Sequence, residues 1–529
     1  MRAWRGESDG DRTAARLGGV VEWLLILVVF AAGGAWPTPD VNETVYLTKA
    51  RHAADPAWAR GDFFLETPEA HGVFYLFMGP LAAAMPLEQA AWIGRVVGWA
   101  ALACGFRWAV VPLLCSGWSR VVAAAVFAVA LRNTTAAGEW VIGGCEAKVY
   151  AWAFVFGGLG GIVRGRFAWA VCFCGAATAL HPIVGGWALV ATVATWLAMG
   201  RPAAPEGRHR ATILVGLGLL LAGAGVVPAV GLTAGVGAGM QAAANRIYVV
   251  ERLPHHLLPR AFADGMLARH VLAIAAWWLL QRLVPASAAR GRLAAFTLSA
   301  IGLSLTGCLI AAAEPWTPVP VYGLLRYYWF RLGDVTVPFA LATAVAALLD
   351  DGALCGRVVG LRPAVVRGLT VALLLADLAV QSHHWPLPGR TSPAPRGDSK
   401  VAAAAWADIC DWTRDHTPVD ACFLTPRNAA SFTWRTGRRE VVSWKNSPQD
   451  AASLIEWRRR IVDCFSRDGG LVELERSTAS LGAERLRAVA VRYGADHVIL
   501  PLDPPLVEAI PGERLHSNGV YAVYRLPPP

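Results

Sequence analysis

The residues most able to do chemistry sit between long apolar runs. Asp40-Val41-Asn42-Glu43-Thr44-Val45-Tyr46 directly follows the first run. Acidic groups beside a bilayer are costly unless solvated or paired, so a carboxylate kept there invites a functional reading. Asp40 or Glu43, held at the membrane face, can take a proton from an attacking hydroxyl as a general base. The same stretch also suits the cap and solvated first turn of a helix starting near Glu43. Cations gather in two later loops: Arg252-Leu253-Pro254-His255-His256 with Arg260, and Arg326-Tyr327-Tyr328 with Arg331 and Asp334. Arginine forks match phosphate geometry and can hold charge that grows on a leaving group. The first loop equally suits an amphipathic interfacial helix, and Arg331 can pair with Asp334 at i, i+3.

Further candidates are scattered. The loop Asn133 to Lys148 carries Glu139, Gly143-Gly144, Glu146 and Lys148, which suits either a substrate-shaping loop or a turn with a Glu146/Lys148 surface pair. His181-Pro182 marks a bend. Arg95 and Arg107 lie about three turns apart in one apolar run, with Arg95 facing the first loop as a partner for phosphate or carboxylate. The adjacent His255 and His256 point apart on a helix, and Cys172 and Cys174 face different ways, so no metal site is expected. No cofactor is expected to be tightly bound, and a divalent cation stays open.

These groups must be positioned by something that lives in lipid. The chain has 529 residues, 55% hydrophobic and 16% charged, with net charge +10 and mean hydropathy +0.42. Soluble proteins carry about a quarter charged residues, so the balance points to a bilayer. Spans are predicted near 18–36, 91–115, 119–136, 149–163, 167–180, 183–199, 211–234, 271–284, 293–313, 334–350 and 366–382. Basic clusters at Arg2/Arg5/Arg12/Arg16, Arg164/Arg166, Arg201/Arg208/Arg210, Arg282/Arg290/Arg292 and Arg357/Arg362/Arg367 alternate with eleven spans if all lie inside. The N-terminus is then cytoplasmic, and loops 37–90, 132–148, 235–270 and 314–333 lie outside. The short run Val73 to Met85, broken by Gly79-Pro80, reads as a re-entrant or interfacial helix. The first run, without a small-x-small cleavage site, reads as an uncleaved span.

The expected domains are a helical bundle over 1–384, a Pro-rich linker over 385–400 and an outside α/β domain over 401–529. In the tail, helices are predicted for Ala402 to Arg414, from Ser447-Pro448 to Phe465, and for Ala483 to Tyr493. Strands are predicted at Ala421 to Leu424, Glu440 to Trp444, His497 to Leu500 and Val520 to Tyr524. Arg427, Trp434, Arg435, Arg438, Arg439, Trp444 and Lys445 form an aromatic and basic group suited to docking on the bundle or to binding sugar. Cys410, Cys422 and Cys464 allow one internal disulfide at most. No Gly-rich phosphate fingerprint and no DNA-reading motif is present, so no nucleic-acid partner is expected.

The acidic first loop with Tyr46, His71 before the aromatic Phe74-Tyr75, and the bundle ending in an outside α/β domain resemble the GT-C superfamily. These are membrane glycosyltransferases using polyprenyl-phosphate sugars, such as protein O-mannosyltransferases and aminoarabinose transferases. The family pattern is commonly Asp-Glu-x-x-Tyr with Asp as base. Aligned on Tyr46, this chain has Asn42-Glu43, so Asp40 or Glu43 takes the role, or the chemistry differs, or it is absent. An Asn cannot accept a proton at neutral pH. The resemblance implies a polyprenyl-phosphate-sugar donor, a glycan, lipid or protein acceptor, and transfer on the outer face of a bacterial-type inner membrane. Tyr46 and His71 carry the resemblance; Arg95, Arg252, His255, His256, Arg260, Arg326, Tyr327 and Arg331 are the substrate- and phosphate-side candidates, and Glu139, Glu146, Lys148 and His181 the loop candidates. A non-catalytic protein of the same fold is the alternative. A transporter would show midplane charges and a repeat between halves, and neither is seen.

Overall fold

The computed structural model describes residues 9–390, 393–503 and 510–527. Arg2 and Arg5 of the first basic cluster, and Thr391-Ser392 of the predicted linker, lie outside the described residues. The first helices are α1 (Asp9–Gly34), α2 (Glu43–Ala54), α3 (Gly72–Ala84), α4 (Leu87–Val110), α5 (Gly117–Asn133), α6 (Ala147–Val163), α7 (Phe167–Leu180), α8 (Pro182–Ala198) and α9 (Arg208–Gly231). After them come α10 (Ala238–Arg246), α11 (Pro254–Leu257), α12 (Met266–Leu283), α13 (Ala288–Ala312), α14 (Pro318–Leu325), α15 (Arg331–Asp350), α16 (Gly352–Val359) and α17 (Pro363–Ser382).

Each predicted span becomes a helix: α1, α4 to α9, α12, α13, α15 and α17. Five of these, α1, α9, α13, α15 and α17, are by length and composition able to cross a bilayer alone. Only 6% of the apolar window of α17 is buried inside the protein, so the remainder needs lipid. The chain is a multi-pass membrane protein. By contrast α3 has 13 residues with Pro80 inside it, about 20 Å at the helical rise, and lies along α2. Its Gly79 meets α2 so closely that a Cβ there would stand 2.8 Å from the Ala50 carbonyl oxygen.

Small residues set the helix spacing, because close approach of backbones replaces the hydrophobic drive that lipid does not supply. A Cβ on Gly175 of α7 would stand 2.0 Å from the Gly218 carbonyl oxygen of α9, and one on Gly225 would stand 2.0 Å from that of Thr178. Gly175→Ala is therefore expected to push α7 and α9 apart and to cost about 1–3 kcal/mol. A fall in the thermal unfolding midpoint in detergent checks this, and an unchanged midpoint would show that the crossing tolerates separation. Inside the bundle, Phe30, Phe106, Phe127, Phe156 and Phe339 stack edge-on and tilted at 5.2–6.3 Å between centroids.

The tail holds helices α18 (Ala403–His416), α19 (Phe432–Thr436), α20 (Ala451–Phe465) and α21 (Ala483–Tyr493). Its strands are β1 (Cys422–Leu424), β2 (Arg439–Glu440), β3 (His497–Pro501), β4 (Glu513–Ser517) and β5 (Tyr521–Arg525), in the order β2-β1-β3-β5-β4. β1 runs parallel to β2 and β3, while β5 is antiparallel to β3 and β4. The fold is thus a polytopic helical bundle carrying a small α/β unit. Two local expectations are corrected. The strand predicted for Glu440 to Trp444 ends at Glu440, where Ser443 turns back within the tail, its hydroxyl donating to Glu440 Oε1 at 2.9 Å and its carbonyl accepting from Trp457 Nε1 at 3.1 Å. The helix predicted to start at Ser447-Pro448 starts at Ala451, where Asp450 accepts the Ser453 N–H at 2.9 Å as its cap. Cys410, Cys422 and Cys464 are buried free thiols.

The predicted linker is packed against both the bundle and the tail. Trp385 Nε1 donates to the Ala32 carbonyl at 3.0 Å, and buried Asp398 pairs with Arg435 at 2.5 Å. A second joint lies at Asp62 of the first loop. Its Oδ2 accepts the Glu440 N–H at 3.0 Å and the Thr433 hydroxyl at 3.4 Å, and its Oδ1 accepts the Leu65 N–H at 3.0 Å.

Candidate functional site

Glu43, a sequence candidate for the base, opens α2 and is wholly buried. Arg95 of α4 grips it with a fork: Nε to Oε1 at 2.7 Å and Nη2 to Oε2 at 2.6 Å. The Cys145 N–H gives Oε1 a further bond at 2.8 Å, and the Asp40 N–H gives Oε2 one at 2.7 Å. Arg95 also donates to the Trp36 carbonyl. Four donors thus occupy both carboxylate oxygens, leaving Glu43 and Arg95 as a brace between the first loop, α4 and the Gly143-Gly144 turn. Gly144 is required there: a Cβ on it would stand 2.8 Å from Asp40 Cβ and 2.9 Å from Glu43 Oε1. Asp40 is also buried. Its Oδ1 accepts the Val41 N–H at 2.7 Å and lies 3.5 Å from Arg396 Nε, while its Oδ2 has no hydrogen-bond partner. Neither acid reaches the cavity that gathers the other candidates.

That cavity has a volume of about 550 Å³, within the usual range for a ligand site. One end is polar, lined by Asn42, Tyr46, His71, Glu139, Lys148, His181, Arg252, His256, Arg326, Tyr327, Arg331 and Lys445. The other end is apolar, lined by Ile183, Trp187 and Val190 from α8 and by Val226, Ala229 and Val230 from α9. Val190, Val226 and Val230 also lie on the apolar outer surface, so the wall runs on toward lipid.

Charge in the polar end is one-sided. The lining holds five cations, Lys148, Arg252, Arg326, Arg331 and Lys445, against the single carboxylate of Glu139. Arg331 Nε lies 2.8 Å from Glu139 Oε2, a contact of charge with charge whose N–H is not aimed at the oxygen. Arg331 also reaches His181 Nε2 at 3.3 Å. Lys148 sits 3.7 Å from Glu139 and 3.5 Å from Glu146, over the Trp140 ring. Arg252, Arg326 and Lys445 have no ion pair among the described residues. Arg252 donates to the Lys445 carbonyl at 3.1 Å, and Arg326 to Asn245 Oδ1 at 2.7 Å and the Gln449 carbonyl at 3.4 Å.

Several sequence alternatives resolve here. Arg331 and Asp334 do not pair with each other: Asp334 accepts the N–H groups of Ala136, Ala137 and Glu139 at 2.6, 3.0 and 3.2 Å. Asp334 thereby fixes the turn that aims Glu139. The Glu146/Lys148 pair is buried rather than on the surface. His256 is neutral, because burial and then the neighbouring His255 push its pKa down to about 3. Its Nδ1–H donates to the Ala137 carbonyl at 2.5 Å, which leaves Nε2 as an acceptor. His71 is held at 3.2 Å by Glu69, whose pKa stays low despite burial because Lys49 and His71 stand beside it. His255 and Arg260 fall outside the lining, Arg260 being exposed in a fork with Glu314 at 2.8 and 3.0 Å. Near the cavity, Tyr328 holds φ +55 and residues Ile247–Arg252 form a π-helical turn, both forms that recur at functional sites.

Asn42 makes sense in this setting. Its Oδ1 accepts from Lys445 Nζ at 2.6 Å, and its Nδ2 donates to Glu146 Oε2 at 3.0 Å. Lysine only donates and an ionised carboxylate only accepts, so an amide fits where an aspartate would face Glu146 with like charge. Lys445 belongs to the tail, in the aromatic and basic group that the sequence suits to docking or to binding sugar. Burial, followed by repulsion from Arg252, pushes its pKa down to about 7. The signal that could have found it was the Trp444-Lys445 pair beside a short strand, since Trp444 faces both Arg252 and Arg427, at 5.6 and 6.0 Å. Among the described residues no group of three or more His, Cys, Asp or Glu side chains could hold a metal ion.

Residues 404–464, which include Lys445, match the family model described as a domain of unknown function (DUF6798). No curated protein matches the chain. Among solved structures, the chain is similar to ArnT from Cupriavidus metallidurans bound to undecaprenyl phosphate, with 13% identity and a TM-score of 0.39 over 97% of this chain and 98% of that one.

Proposed function

We propose that the chain is a membrane glycosyltransferase that takes a sugar from a polyprenyl-phosphate carrier and passes it to an acceptor hydroxyl on the extracytoplasmic side. The observation that carries this reading is the two-ended cavity, in which Arg252, Arg326 and Lys445 lack an anionic partner beside an apolar wall from α8 and α9. A soluble anion would need the cations alone. A molecule with a phosphate head and a long hydrocarbon tail uses both ends. In the reaction the acceptor oxygen forms a bond to the anomeric carbon as the carbon–oxygen bond to phosphate breaks. The leaving phosphate keeps the electron pair, and the three cations hold the charge that grows there. The hydroxyl proton goes to Glu139, the only carboxylate on the lining. Tyr46 stays a protonated donor, because burial and then the charge of Glu146 raise its pKa well above the usual phenol value.

The test uses purified full chain in nanodiscs. Polyprenyl monophosphate should bind at least about tenfold more tightly than the neutral polyprenol, and Arg326→Gln should remove that preference. With a polyprenyl-phosphate sugar as donor, Glu139→Gln should keep binding while transfer falls about 100-fold or more. Equal affinity for the phosphate and the alcohol would sink the assignment. The amide at Asn42 favours a second reading, a carrier-binding protein without turnover. Tight binding by the wild type with no transfer to any acceptor would select it.

A further inference from the structure

We propose that a second cavity, at the seam between the first loop and the tail sheet, is a binding site for a small polar ligand that carries a carboxylate or a phosphate. This cavity has a volume of about 350 Å³, and its polar lining is Glu66, Thr67, Arg439, Glu440, Ser453 and Arg460. It is separate from the larger cavity but close to it. The strap after Thr67 runs from one to the other, with Thr67 and Pro68 on this lining and Ala70 and His71 on the first.

Arg439 carries the argument. It lies on β2, and its side chain makes no hydrogen bond or ion pair among the described residues, although its Nε is buried. An N–H shut away from both water and acceptor is unfavourable, and a bound acceptor would relieve it. The nearby acids do not fill that role. Glu66 Oε1 accepts the Gly61 N–H at 2.6 Å. Glu440 is bonded to Ser443, Asn446 and Thr425 at 2.9, 2.9 and 3.1 Å. Arg460 lines the same cavity as a fixed cation: it is paired with Glu456 at 2.8 Å and stacked between Phe63 and Tyr493 at 4.0 and 4.8 Å. An arginine fork with unused donors, sharing a cavity with a second, braced guanidinium, suits a planar carboxylate or a phosphoryl group. The chain around Gly61 is cut to fit this fork, since a Cβ there would stand 3.0 Å from Arg439 Nη1. The site stands on this seam alone and does not depend on the transferase reading.

The experiment titrates glucuronate and inorganic phosphate into the full chain in detergent by calorimetry, using wild type, Arg439→Gln and Arg439→Lys. At least one anion should bind the wild type. Arg439→Gln should weaken it about tenfold or more, and Arg439→Lys, which keeps charge without the fork, should fall between. A preference for glucuronate assigns a sugar acid, and a preference for phosphate assigns a phosphoryl group. Because the Arg439 side chain bonds nothing in the protein, the ligand-free unfolding midpoint should match wild type in both variants. Failure of both anions to bind the wild type, or equal binding by Arg439→Gln, overturns the site. Loss of polyprenyl monophosphate binding in Arg326→Gln is read separately, so either cavity can fail without the other.

Discussion

Glu43→Ala should leave little folded protein. Arg95 is 1% exposed, and Glu43 is the sole ion-pair partner it has among the described residues. Removing one member of a buried pair leaves the other charged and uncompensated, at about 3–5 kcal/mol. Native proteins hold only about 5–15 kcal/mol in reserve, so this one change removes a large share. The Cys145 and Asp40 N–H groups lose their acceptor as well. The measurement is the yield of monodisperse protein in detergent together with its unfolding midpoint. Glu43→Gln/Arg95→Met, which removes both charges, should recover part of the loss. A folded Glu43→Gln protein with normal stability and no transfer would instead make Glu43 the base and defeat its role as a brace.

Glu440→Gln should change how the tail's stability depends on pH. Burial, and then the charge of Asp62, raises the Glu440 pKa from 4.5 to about 8, and burial raises that of Asp62 too. A carboxyl whose folded pKa is raised holds a proton that the unfolded chain has already released. Its stabilising contribution is complete below about 4.5 and is lost as pH rises toward about 8, by up to about tenfold in the folding equilibrium per pH unit. Lys445 acts in the opposite direction, since its pKa falls from 10.5 to about 7 and its contribution returns as pH climbs through that window. Relative to Glu440→Gln, wild-type tail stability should therefore decline as pH rises from about 4.5 toward about 8, while the Lys445 recovery at higher pH is common to both proteins. Glu440→Gln should flatten the decline and leave the recovery. Proteolysis of the tail at pH 5, 6, 7 and 8 reads this, and parallel curves for the two proteins would show that Glu440 does not govern the seam.

The sequence made the bundle readable because lipid demands long apolar runs, and each of the eleven runs became a helix. Charge in the loops was also readable: Arg252, Arg326, Arg331, His181 and Glu139 come from four separate stretches and meet on one cavity. Pairing was not. Glu43 and Arg95 are 52 residues apart, and nothing in local spacing says that one neutralises the other. Arg331 and Asp334 had ideal helical spacing, yet the Glu139 turn draws both away from each other. The α20 start was misplaced because Pro at a first turn competes with Asp at a cap, and here Asp450 wins. β4 was missed because Glu513–Ser517 has no alternating apolar pattern on an edge strand.

Lys445 closes the larger cavity from a point 403 residues beyond Asn42. Whatever anion sits between it and Arg252 or Arg326 touches tail and bundle together, and so works as a clasp. If the proposed phosphate binds there, thermodynamic reciprocity fixes the relation: a docked tail would tighten the grip on it by the same factor as it would tighten the docking.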